Sequence, residues 1–176
     1  MRPTITPTPE APLDQLDLED EKQIRRAMEL ADEAAHHGEV PVGAVLIIGD
    51  LVIETANERE RRPDPTAHAE ILALREAARR LGSWRLSGAT VYVTKEPCPM
   101  CAGALIAARV ARVVFGAYDA KGGAAGSVID LFNGAAVFHW VEITGGVCES
   151  EAAQQLQDFF RHRRQGASNP ERYHRR

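Results

Sequence analysis

A short apolar run, Thr90-Val91-Tyr92-Val93-Thr94, leads through Glu96-Pro97 into Cys98-Pro99-Met100-Cys101 and then into the small-residue stretch from Ala102 to Arg109. No other segment constrains the fold as tightly. The run reads as a buried strand, and Pro99 fits the first position of a helix that Cys98 caps, so a strand must turn directly into a helix here. Two cysteines three apart at a helix start lie on one face, where the positive end of the helix favours thiolate. Taken alone, the pair fits a redox dithiol, half of a zinc site or a chance pairing. The chain has three cysteines. An odd number without a secretory signal argues against a disulfide framework and for a reducing compartment, the cytoplasm.

Around this segment the sequence predicts one domain over residues 20–165. Residues 1–19 are rich in Pro, Thr and acids and read as a disordered arm. From Asp20 a helical stripe of Ile24, Ala27, Met28, Ala31, Ala34 and Ala35 runs to a cap at Gly38. VGAVLII and LVIETAN flank Gly49-Asp50 as a hairpin. Thr66 is a plausible N-cap for a helix with a stripe of Ile71, Leu74, Ala78 and Leu81 that ends at Gly82, which places His68 in its first turn. After a strand in VARVVFGA come a short helix at VIDLFN, a strand around WVEIT and a final helix, ESEAAQQLQDFFRHRR. This order predicts an α/β fold, a three-layer α/β/α sandwich with a central mixed five-stranded sheet. No apolar stretch approaches the roughly 18 residues of a membrane span. Residues 166–176 form a basic C-terminal tail, which fits either a solvated face or contact with phosphates.

No second cysteine pair completes a four-sulfur site. His68, thirty residues before Cys98, offers a third ligand from another helix start. Three ligands leave a tetrahedral zinc one position for water, the arrangement of a catalytic rather than a structural site. An isolated histidine is more often a satisfied polar residue, but Glu70 stands beside it. A zinc held by two thiolates and an imidazole carries no net charge, so its water benefits from a neighbouring base, and Glu70 can take that proton and return it to a substrate. Residues two apart on a regular helix point to different sides, so His68 and Glu70 converge only if the first turn departs from ideal geometry. Hydrolysis at an electrophilic carbon is the chemistry this set suits.

His-Ala-Glu followed by Pro-Cys-Pro-Met-Cys resembles the signature of the zinc deaminases that act on cytosine and adenine. Five blocks, EVPVGAVL, DPTAHAEI, TKEPCPMCAGALI, RVVFGAYDAKGGAAGS and DFFRHRR, resemble the bacterial tRNA-specific adenosine deaminases of the cytidine deaminase-like superfamily over residues 22–165. The resemblance implies one Zn2+ per subunit on His68, Cys98 and Cys101, with Glu70 as proton shuttle. The implied reaction turns the wobble adenosine of a tRNA anticodon loop into inosine, the base being splayed out of its stack to expose C6. By the same resemblance Asn57 contacts base or sugar; read by itself it is a turn residue ending a strand. Asp119, Lys121, Phe159 and Arg161 match positions near the anticodon-loop backbone, where an aromatic stacks and cations meet phosphates. Glu58 and Tyr118 stand where many relatives carry a basic residue. The resemblance also implies a homodimer. Rival readings are a deaminase of free nucleobases or nucleosides, a zinc-stabilised RNA-binding module and a redox dithiol. Cys148 has no partner left and reads as a packing residue.

Overall fold

In a computed structural model, the structure describes residues 13–133 and 138–167. Five strands form one mixed sheet: β1 (Gly43–Ile48), β2 (Leu51–Ala56), β3 (Thr90–Lys95), β4 (Arg112–Ala117) and β5 (Glu142–Gly145). Their spatial order is β2-β1-β3-β4-β5. β1 pairs antiparallel with both β2 and β3, whereas β3, β4 and β5 run parallel. The hairpin closes at Gly49, whose φ of +56° suits a glycine.

Alternation along the strands sorts the side chains into two faces. Val45, Tyr92 and Val114 are register neighbours and pack with Ile24, Ala27 and Leu30 of α1 (Leu13–His36). Leu46, Val91 and Val113 face the other way, toward α2 (Ala69–Leu81) and α3 (Pro99–Ala107). α4 (Glu149–Ala167) joins α1, where Gln155 Nε2 donates to the Met28 carbonyl at 2.9 Å. The three-layer sandwich with a five-stranded mixed sheet is therefore as the sequence predicts. At Gly43 any Cβ would run into the Ala27 carbonyl, so this glycine lets α1 lie close against β1.

The structure corrects four local expectations. α1 begins at Leu13, seven residues before the expected start at Asp20, so the stretch 13–19 of the expected arm is helical. Pro12 is the last proline of the arm, and the Leu, Gln and acidic residues that follow favour a helix start. The rest of that arm, 1–12, lies outside the described residues, as do 168–176 of the expected basic tail. α2 is capped by His68, not Thr66, because the Thr66 amide and hydroxyl both donate to Asp64 Oδ1, at 2.8 and 2.7 Å, in a turn before the helix. The buried face of α2 is Ala69, Leu72, Ala73, Leu74 and Ala77, while Leu81 is exposed: small residues let the helix dock close to the sheet. Finally, 128–133 forms bends and an isolated bridge between Ala125 and Asp130, not a helix. Asp130 Oδ1 there accepts from the Phe132 and Asn133 amides and holds a tight turn.

Asp20, buried in α1, receives two 2.7 Å hydrogen bonds from the Arg112 guanidinium at the start of β4, which also reaches Glu142 and Thr144. This pair fixes α1 to the sheet 92 residues away in sequence. Asp20→Ala leaves the guanidinium half-paired, and the expected loss is about 3 kcal/mol, at the low end for a buried pair because Glu142 and Thr144 remain. Urea unfolding measures it; a loss no larger than that of an exposed pair contradicts this role.

Candidate active site

The N-termini of α2 and α3 meet over one end of the sheet, where Ala69 packs with Val42, Ala44, Val93 and Phe115. Each helix opens on an extended residue: His68 at φ −77°, ψ 150° and Cys98 at φ −74°, ψ 170°. Neither side chain caps its own helix. The first amide of α2 is satisfied instead by Asn57 Oδ1, which accepts from Ala69 N at 3.0 Å. The imidazole is thereby left to the sulfurs. His68 Nδ1 lies 3.7 Å from Cys98 Sγ and 3.5 Å from Cys101 Sγ, the latter a turn into α3.

Because His68 is a cap rather than a helical residue, the two-residue spacing to Glu70 is not a helix-face spacing, and the difficulty raised by the sequence disappears. Glu70, buried in the first turn of α2, stands beside the Cys101 thiol, and its Oε2 is buried without a partner among the described residues. Burial holds its carboxyl above the ordinary range. The Cys101 thiol, hydrogen-bonded to Cys98 and assisted by His68, pulls the Cys98 pKa down to about 3. The same bond, with burial, pushes Cys101 far up, and the contact with Cys98 raises His68. One imidazole balances one thiolate; ionising the second calls for a cation between them.

The geometry fits that cation. Tetrahedral zinc bonds of about 2.05 Å to nitrogen and 2.3 Å to sulfur separate the two donors by about 3.6 Å, against the 3.5 and 3.7 Å found here. Among the described residues this is the group of His, Cys, Asp and Glu side chains able to hold a metal ion.

The remaining predicted residues fall into two places. Asn57, at the end of β2, is buried at the rim of this centre. Asp119 and Lys121 lie in the loop after β4, where Asp119 pairs with Lys95 at 2.6 Å and accepts from the Lys121 amide at 3.0 Å. Lys121 lines a surface groove with Leu156, Gln157, Phe160, Arg161 and Arg164. Phe160, not Phe159, contributes the ring to that groove; Phe159 is half-buried and meets Phe160 edge-to-face at 5.4 Å. Glu58 ion-pairs with Arg61 and Arg62, and Tyr118 stands edge-on to Phe115.

Two buried glutamates escaped the sequence reading. Glu39 Oε1 accepts from the Glu60 and Arg61 amides, both at 2.9 Å, and so holds the loop that leads to His68. Glu96 does the same for the loop after β4. Each sits at the edge of an apolar run, EVPVGAVL and TVYVTKEP, the one signal that a charge there is enclosed.

A family model for MafB19-like deaminases matches residues 18–164. The chain belongs to that family. This deaminase is 47% identical over 144 residues to a tRNA-specific adenosine deaminase from Bacillus subtilis, covering 81% of this chain and 89% of the relative. It also matches a solved structure from work on A-to-I editing by tRNA:A34 deaminases at the wobble position, with 41% identity and a TM-score of 0.73 over 76% of this chain and 98% of the other. The match to a Bacillus subtilis guanine deaminase is shorter, with a TM-score of 0.53 and 39% identity over 56% of this chain and 64% of that one. No helix among the described residues of the MafB19-like chain is long and apolar enough to cross a membrane.

Proposed function

We propose that this deaminase hydrolyses the wobble adenosine of a tRNA anticodon loop to inosine, with His68, Cys98 and Cys101 as ligands of one Zn2+ and Glu70 as the proton carrier. The observation that carries the reading is the buried Oε2 of Glu70, unpaired among the described residues, beside a zinc-sized triad, in a chain nearly half identical to a tRNA-specific adenosine deaminase.

Zinc held by His68, Cys98 and Cys101 would supply an acidified water for the attack. Glu70 takes a proton from the attacking water and places it on N1 of the adenine as the new C–O bond forms at C6. It then carries the second proton to the amine as the C6–N bond breaks, so that one water is consumed and one ammonia leaves. Its raised pKa suits both halves of this exchange. Asn57, its amide orientation fixed by the bond to Ala69, presents the other end of the carboxamide to base or ribose. Lys121 and Arg161 receive the anticodon backbone and Phe160, backed by Phe159, a flanking base along the groove beside α4, while Asp119, paired with Lys95, shapes the loop that carries Lys121. A second copy of the chain covers the outer face of α3, where Pro99, Met100, Gly103 and Ala107 are exposed. The three unpaired cysteines and an RNA substrate go with a cytoplasmic location.

The test offers an anticodon stem-loop bearing a wobble adenosine in parallel with free adenine, guanine and cytosine. Turnover of the stem-loop is the expected result; turnover of free bases alone defeats the reading in favour of a nucleobase deaminase. Lys121→Ala is expected to raise KM for the stem-loop severalfold with kcat within about twofold, and to flatten the dependence of log KM on log salt by about 0.7, one phosphate contact on a single strand. An unchanged slope removes Lys121 from the RNA interface.

A further inference from the structure

Between the metal triad and the groove lies the loop 118–127, and one side chain organises it. Glu96, almost wholly buried at the end of β3, has both carboxylate oxygens occupied. Oε2 accepts from the Asp119 amide at 2.9 Å and from the Ser127 hydroxyl; Oε1 accepts from the Ala125 and Ser127 amides at 2.9 and 3.1 Å. The donors come from 23 to 31 residues further along the chain. Gly123 lies against the carboxylate, and a Cβ there would overlap it. One residue on, the Pro97 carbonyl accepts from the Ala124 amide at 2.9 Å, and on the other side Lys95 pairs with Asp119 at 2.6 Å. The strand end that turns into Cys98 is thus fastened to both ends of the loop that carries Asp119 and Lys121.

We infer that Glu96 is a positioning residue that fixes the RNA-facing loop relative to the metal-ligand turn, and so sets where the anticodon backbone sits with respect to the reacting base. The inference rests on the proposed tRNA reading for its consequence in catalysis, though not for the clasp itself. Only a carboxylate meets four converging donors with acceptors alone. A glutamine puts an NH2 group against either the Asp119 amide or the paired Ala125 and Ser127 amides, so one end of the loop is released. A charged acceptor lost from a buried set is worth more than an ordinary hydrogen bond.

Glu96→Gln is compared with wild type by amide hydrogen exchange, metal analysis and steady-state kinetics on the stem-loop. The expected result is about tenfold faster exchange at the Asp119, Ala125 and Ser127 amides, unchanged zinc content, a severalfold higher KM and kcat within about twofold. A salt dependence flattened as in Lys121→Ala is the accompanying signature. Unchanged protection of those amides overturns the clasp; a fall in kcat with KM unchanged overturns the positioning role. Gly123→Ala, whose methyl displaces the carboxylate without removing it, gives the same readouts should the glutamine variant fail to fold. Wild type that is idle on the stem-loop refutes the tRNA reading alone, since hydrogen exchange still decides the clasp.

Discussion

Glu70→Gln is expected to abolish deamination, by about a thousandfold or more in kcat, while zinc content stays at one per chain and the fold persists. Glutamine keeps the volume of the side chain and can still meet Cys101, so the first turn of α2 has no reason to move. What it cannot do is accept a proton from water and give it back. The thermal midpoint provides the control. Because the substitution is isosteric and touches no metal ligand, the variant is expected to melt close to wild type. Retention of activity within about tenfold removes Glu70 from proton transfer; loss of activity accompanied by loss of zinc recasts it as part of the metal site.

Cys101→Ala is expected to remove the metal and, with it, both activity and a share of the stability. Cys101 is wholly buried, and its sulfur stands 3.5 Å from His68 Nδ1. Without it the remaining imidazole and thiolate form a two-ligand site, too few to hold zinc against chelator. Zinc favours the folded wild-type chain, where the three donors converge, so free metal at about a hundred times Kd raises wild-type stability by up to about 2.7 kcal/mol. The variant gains nothing from the same titration, and EDTA, which lowers the wild-type melting temperature, leaves the variant's unchanged. A variant that still carries stoichiometric zinc shows that the three side chains are not the ligand set. Reversible disulfide formation between Cys98 and Cys101 in zinc-free wild type, with no effect of zinc on activity, favours the redox reading instead.

The legible parts of this chain were those in which local pattern and tertiary outcome depend on the same residues. Cys98-Pro99 announced a capped helix start, and the structure has Cys98 as the cap with Pro99 opening α3. The two β-rich runs VGAVLII and LVIETAN around Gly49-Asp50 carry the hairpin that the structure has. Less legible was the exact cap of α2, because Thr66 and His68 compete for it and the winner is decided by Asp64, which takes both donors of Thr66. That one displacement is what turns His68 outward from a helical position to an extended one. The bends at 128–133 are hard to read for a similar reason: Val128, Ile129, Leu131 and Phe132 have the spacing of a helical face, but the carboxylate of Asp130 satisfies the Phe132 and Asn133 amides locally. Glu39 and Glu96 left almost no trace in the sequence, since nothing about a glutamate reveals that amides from distant loops will converge on it. In the groove, Phe159 and Phe160 are adjacent, and only the helix phase, set by docking of α4 on the sheet, decides which ring faces out.

Among the described residues the strand order leaves β2 and β5 as outermost members, each with one flank that pairs with no other strand and is open in principle to a foreign one. β5 offers only four residues, too short a template to extend. β2 is longer, but Glu54 in its middle is gripped by Arg26 of α1 through two bonds of 2.7 Å, which plants fixed opposite charges along that rim. Ribbon-like polymerisation through either margin is therefore disfavoured.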